Sequence, residues 1–121
     1  MIMMPTNPSY KRGDVVLVLF PYSDLRTAKL RPALIVQADN LDTGFSQAIV
    51  VVITSNMLRA NHSSRLPVFL SHPEGKKSGL LTDSVIMTDN IATVIDKAIE
   101  RIIGTFPMEK VDAALRYTLG L

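Results

Sequence analysis

Three short stretches of the 121-residue chain gather side chains able to act on a substrate. In TAKLRPALIVQ, residues 27–37, Lys29 and Arg31 stand just ahead of Pro32 and an apolar run. Proline confines the residue before it to extended geometry. The Arg31 backbone is therefore stiffened, and its side chain leaves the strand start in a defined direction. A guanidinium held this way offers a planar, permanently charged fork that matches the oxygens of a phosphate. The plain alternative is a surface arginine in an ion pair with Asp14 or Asp24.

In ITSN, residues 53–56, an apolar run ends in two hydroxyls and an amide. Thr54, Ser55 and Asn56 could hydrogen-bond a phosphate or a base edge. Such residues also form turns by bonding to nearby backbone. GLLTDSV, residues 79–85, repeats the pattern at a strand start with Thr82, Asp83 and Ser84. Other constellations are missing. His62 and His72 lie in polar loop sequence, and no cysteine or His-x-x-x-His pair offers metal ligands. There is no phosphate-cradling glycine loop and no G-x-S-x-G elbow. An enzyme of this sequence works without a metal, a bound cofactor or a serine triad.

The composition bounds the fold. A length of 121 residues suits one domain, taken here as residues 1–121, and 47% apolar residues can fill its core. No segment approaches the ~18–20 apolar residues that cross a bilayer, so no membrane partner is expected. The opening MIMMPTNPS lacks a signal-length apolar core, and residues 1–9 read as a flexible extension. The absence of cysteine fits the reducing cytoplasm. A net charge of +2 permits an anionic partner without demanding one.

The elements that must position these groups are short. DVVLVLF at 14–20, ALIVQ at 33–37 and AIVVVIT at 48–54 read as strands buried on both faces. RLPVFL at 65–70, with Pro67 suited to an edge, and DSVIMT at 83–88 read as further strands. Residues 38–47 and 71–79 read as loops. In IATVIDKAIERII, residues 91–103, apolar residues fall on one helical face, and the pattern alone predicts a helix. The same residues are strand formers, and Asp96–Lys97–Ala98 could be a turn. After Pro107 the spacing of Val111, Ala114, Leu115, Thr118 and Leu119 predicts a helix ended by Gly120. Five to seven short strands and a C-terminal helix suggest a mainly β, strongly bent sheet or barrel. Strands apolar on both faces also suggest a second subunit covering one side.

Taken together, RGDVVLVLFPYSD, RPALIV, VVVITSN and GLLTDSVIMTDNIATV resemble the MazF/PemK toxins of bacterial toxin–antitoxin systems. The likeness runs from about Lys11 to the last residue. It implies an SH3-like, strongly curved β-barrel with a C-terminal helix, assembled as a homodimer. It implies a ribosome-independent, metal-independent endoribonuclease that cuts single-stranded RNA at short motifs. It also implies a cognate antitoxin whose extended or helical tail covers the RNA groove. By the resemblance Arg31 is the catalytic arginine and Thr54 the catalytic hydroxyl residue. Ser55, Asn56, Asp83 and Ser84 match positions near the RNA groove.

The segment 21–30 matches the loop that covers the active site in the family. Some relatives carry a glutamate and several glycines there; YSDLRTAKL has no glycine, and Asp24 is its nearest acidic equivalent. The resemblance turns 91–103 into a strand near 90–95, a turn, and a strand near 100–105. Lys29, Arg26, Lys76 and Lys77 are candidate phosphate contacts, and Phe20, Tyr22 and Phe45 candidate stacking residues or core. Two rivals share the fold: a gyrase-poisoning toxin acting through its helix, and a non-catalytic SH3-like binding module. Neither needs both Arg31 and Thr54.

Overall fold

The computed structural model describes residues 10–21 and 28–121. Its strands are β1 (Asp14–Pro21), β2 (Ala28–Ile35), β3 (Gln47–Thr54), β4 (Arg65–Val68), β5 (Ser84–Ile95) and β6 (Ile99–Thr105). A short helix α1 (Pro73–Lys77) precedes β5, and α2 (Glu109–Leu119) ends the chain. All six strands form one antiparallel sheet in the order β4-β5-β3-β2-β1-β6. The sheet is not closed by hydrogen bonds, because β4 and β6 stand at its two ends. Its bends come from register shifts at Val15/Val16, Leu17/Val18 and Val51/Val52.

The uninterrupted apolar runs have a simple cause: both faces of the central strands are covered within the chain. Alternation sends Val15, Leu34, Val51, Ile53 and Ile86 to one cluster, closed by Val68, Phe106 and Val111 of α2. It sends Val16, Val18, Ala33, Ile35, Val50 and Val94 to a second cluster, covered by Tyr10, Phe20, Ala98 and Ile99. The cover is incomplete: Leu19 of β1 is half-exposed, and Leu30, Ile91, Ile95 and Ile102 of the sheet are exposed too.

Residues 91–103 are not a helix. β5 continues to Ile95, a 3-10 turn spans Asp96–Ala98, and β6 follows. Isoleucine, valine and threonine lose side-chain freedom in a helix, and here β3 and β1 offer ladders on which they fit. Tyr10 donates a hydrogen bond to Asp96 and pins this turn. The polar segment 71–79 is only partly loop, since Pro73 starts α1. Helix α2 ends at Gly120 in the left-handed conformation, as its spacing predicts.

Two ties hold α2 to the sheet. Arg12 pairs with Asp112 and donates Nε to the Val36 carbonyl at 3.0 Å. Val51 pairs with Ile91 but Val52 with Met87, which leaves residues 88–90 unmatched on β3. In that bulge the buried Thr88 hydroxyl lies 2.6 Å from the Ser64 carbonyl and 2.7 Å from the Thr118 hydroxyl.

Candidate active site

A groove of about 500 Å³ crosses the face of β6, β1 and β2. Arg101, Leu17 and Pro32 are register neighbours on these three strands, and all three line it. Gly79 to Thr82 and Ser84 line it from the chain leading into β5. That segment lies close to β6 for want of side chains. A Cβ on Gly104 would lie 2.4 Å from the Lys77 carbonyl oxygen, and one on Gly79 would lie 1.9 Å from that of Ile103. Gly79 also has φ +74°, a conformation glycine adopts without penalty.

The ladder between β2 and β3 sets the chemistry of the groove. It pairs Ile35 with Val50, Leu34 with Val51 and Ala33 with Val52, and it ends at Ala33. Pro32 has no N–H with which to extend it. Continuing the register by two residues sets Arg31 opposite Thr54, on one face of the pleat. The outer half of β2 stays paired with β1 as far as Ala28–Pro21. The strands thus part at the arginine and the threonine, and both line the groove.

Thr54 is locally fixed. Its Oγ1 accepts the Asn56 backbone N–H at 3.1 Å, and Asn56 Oδ1 accepts the Leu58 N–H at 3.0 Å. These two turns consume acceptors only. The Thr54 hydroxyl proton has no protein acceptor among the described residues, so it can be given to a ligand. Among the described residues, Lys29, Arg31 and Arg101 are the charged ones that line the groove, with no carboxylate among the lining residues. Glu100 pairs with Arg101 from the adjacent position on β6. A cationic groove with a forked donor facing a hydroxyl is suited to a phosphodiester.

The model of the PemK-like, MazF-like toxins of type II toxin–antitoxin systems matches residues 11–119. The chain belongs to this family. The fold of these toxins recurs in solved structures of low sequence identity. One is a mycobacterial endoribonuclease in complex with its cognate antitoxin: 24% identity over 93% of this chain and 97% of that one, TM-score 0.71. The Mycobacterium tuberculosis toxin MazF-mt6 is 21% identical over 89% of this chain and 97% of its own, TM-score 0.66. A MazE–MazF structure from Deinococcus radiodurans is 16% identical over 97% of this chain and 99% of that one, TM-score 0.67. No curated protein matches the sequence significantly.

In this PemK/MazF-like toxin the residues singled out by sequence separate into groups. Arg31, Thr54, Lys29, Ser55 and Ser84 line the one groove. Ser84 is buried and donates to the Thr82 carbonyl at 2.9 Å. Asn56 lies beyond Thr54, in a second, smaller cavity. Asp83 is outside both linings and accepts the Leu70 N–H at 2.8 Å, which ties the end of β4 to β5. Lys76 and Lys77 are exposed on α1, outside the lining, and Phe20 packs on the second core cluster. Phe45 is exposed in the loop between β2 and β3.

Asp24, Tyr22 and Arg26 lie outside the described residues, while Ala28 to Leu30, assigned by sequence to the loop, belong to β2. His62 is structural: its Nδ1 lies 2.8 Å from the Ser64 hydroxyl, and its ring meets Tyr117 edge-on. Among the described residues no three of His, Cys, Asp and Glu converge as metal ligands, and no helix is long and apolar enough to cross a membrane. Arg101 is the groove residue that sequence reasoning missed. Its only signal was a charge inside an apolar segment, and its place follows from the register of β6 on β1.

Proposed function

We propose that the chain is the toxin of a toxin–antitoxin pair and a sequence-specific endoribonuclease of single-stranded RNA. The observation that carries this reading is Arg31 and Thr54 at one parting of strands in one cationic groove. RNA brings its own nucleophile. The 2′-oxygen bonds to the adjacent phosphorus as the bond to the 5′-oxygen breaks, leaving a 2′,3′-cyclic phosphate and a 5′-hydroxyl. The 2′-hydroxyl gives up one proton and the leaving oxygen gains one.

The protein must hold the nucleotide in line and stabilise charge on the phosphate oxygens. The Arg31 fork does the second task, and the Thr54 hydroxyl adds a hydrogen bond to the same phosphate. Arg31 is a poor base because guanidinium stays protonated above pH ~12. Asp24, which precedes β2, is assigned the 2′ proton. The chain acts in the cytoplasm as a homodimer of SH3-like curled subunits, needs no metal, and is silenced by an antitoxin lying in the groove.

The test is direct. Wild-type and Arg31→Ala proteins, both shown to be folded, are incubated with a long unstructured RNA in EDTA, and the new 5′ ends are mapped. Cuts at one short motif with 5′-hydroxyl ends, lost in Arg31→Ala, are the expected result. An inert, folded wild type would point instead to a protein target such as gyrase.

A further inference from the structure

A phosphodiester has two non-bridging oxygens, and the Arg31 fork together with the Thr54 hydroxyl addresses both. A further forked donor lines the same groove: Arg101 of β6.

The register fixes where Arg101 stands. It lies opposite Leu17 of β1, and Leu17 lies opposite Pro32 of β2. Residues opposite one another share a face of the sheet, and successive residues of a strand alternate. Arg101, Leu17 and Pro32 therefore share one face, and Arg31, next to Pro32, leaves on the other. Two ladder spacings also set the backbones of the two arginines about 10 Å apart. Both still line the groove: Arg31 from the parting of β2 and β3, Arg101 from across β1. The two guanidiniums enter from different sides, with the apolar Leu17 and Pro32 between their backbones.

A bulge gives Arg101 a companion. Leu17 pairs with Arg101 but Val18 with Ile99, which leaves Glu100 unmatched on β1. In an unbroken strand Glu100 and Arg101 would point to opposite faces. A bulge re-aims side chains, and here Glu100 Oε1 lies 2.5 Å from Arg101 Nη1. The two side chains are 43% and 59% exposed. An ion pair so open to water is weak, and a phosphate can displace it.

We propose that Arg101 holds a phosphate next to the scissile one on the same RNA strand, and that Glu100 is the counter-ion it gives up when RNA enters. The substrate then spans two phosphates, with the nucleoside between them lying over Leu17 and Pro32. A dinucleotide, with its single phosphate, lacks the second grip. Arg101 touches no reacting atom, so it strengthens binding without lowering the chemical barrier. The assignment rests on the reading of the groove as an RNA-cleaving site, but the second grip can be measured apart from cleavage.

The test neutralises the phosphates one at a time. A single-site RNA is made with one methylphosphonate linkage at each position flanking the cut, and wild type and Arg101→Ala, both shown to be folded, cleave the series. In wild type one neighbouring linkage should raise KM about tenfold with kcat kept, the loss expected for one charge-assisted contact. Arg101→Ala should show the same rise on unmodified RNA and no further rise at that linkage. The second arm measures affinity for an uncleavable 2′-O-methyl RNA. There Arg101→Ala should flatten the salt slope by about 0.7, and Glu100→Gln should bind about two- to fivefold tighter. Losses from the linkage and from Arg101→Ala that multiply, no sensitive neighbouring linkage, or an Arg101→Ala defect in kcat alone would overturn the assignment and leave the nuclease reading standing. A wild type that binds without cutting overturns the nuclease reading, and the salt slopes then decide the grip alone. A wild type that binds no RNA overturns both.

Discussion

Arg31 and Thr54 make unequal demands on their substitutes. Arg31→Ala should lower the cleavage rate about 10²–10³-fold, the usual loss for one well-placed charge-stabilising donor. Arg31→Lys keeps the charge but loses the fork and should recover only part of that rate. Thr54→Ser retains the hydroxyl and should stay active, whereas Thr54→Val removes both the phosphate donor and the acceptor for the Asn56 N–H. Single-turnover rates on one RNA check the series; a Thr54→Val protein as fast as Thr54→Ser would remove Thr54 from the chemistry. Arg31 was legible as a stiffened, extended residue because Pro32 restricts it by a local rule, although it stands within β2 and not at its start. Arg101 was not, because its place in the groove depends on a register between segments over eighty positions apart. Phe20 looked available for stacking, and only the pleat of β1 turns it to the second core cluster.

At the scale of elements, the groove depends on the segment from α1 to Gly79 lying against β6. Gly104→Ala drives a methyl group to 2.4 Å from the Lys77 carbonyl oxygen and should cost about 1–3 kcal/mol. Gly44→Ala is the control. Its φ of +80° carries a backbone cost of about 1–2 kcal/mol that Gly104, whose φ is not positive, does not share. Nothing lies within 4 Å of the added Cβ, so it isolates the conformational cost from the steric one. Urea titrations compare Gly104→Ala with wild type and with Gly44→Ala; a Gly104→Ala protein as stable as wild type would deny the close approach. The strands were legible from their β-branched runs and turn residues. The segment 91–103 was legible only through the family resemblance, which gave strand, turn and strand; its pattern alone was not decisive, because its apolar residues satisfy a helical period and a strand composition alike. What decides is the ladder on β3 and β1, which no local pattern contains.

For the whole molecule, a net charge of +2 understates the groove, since among the described residues three cations line it and no carboxylate does. Log affinity for single-stranded RNA should fall with log salt, at a slope of about −0.7 for each phosphate the groove neutralises. A flat dependence would show that the groove does not hold the backbone. Stability should respond to pH at both extremes. The hydrogen bond from Arg65 is the largest influence lowering the Asp89 carboxyl below its ordinary value of 3.8. Its contribution is present above that value and is lost as pH falls through the lower folded one. Burial first, and then Asp96, push the Tyr10 hydroxyl above its ordinary value of 10.0. Its contribution is complete below that value and lost as pH rises beyond it. Melting curves of Tyr10→Phe should therefore show a weaker alkaline loss than wild type, and an identical loss would assign the alkaline limit elsewhere. The central claim is that this molecule supplies the setting and RNA supplies the nucleophile. The measurement that tests it most directly is cleavage of one mapped RNA against the same RNA carrying a single 2′-deoxy nucleotide at the scissile position. The account predicts that this one bond becomes resistant while other sites are still cut. Equal cleavage of the deoxy substrate would contradict it.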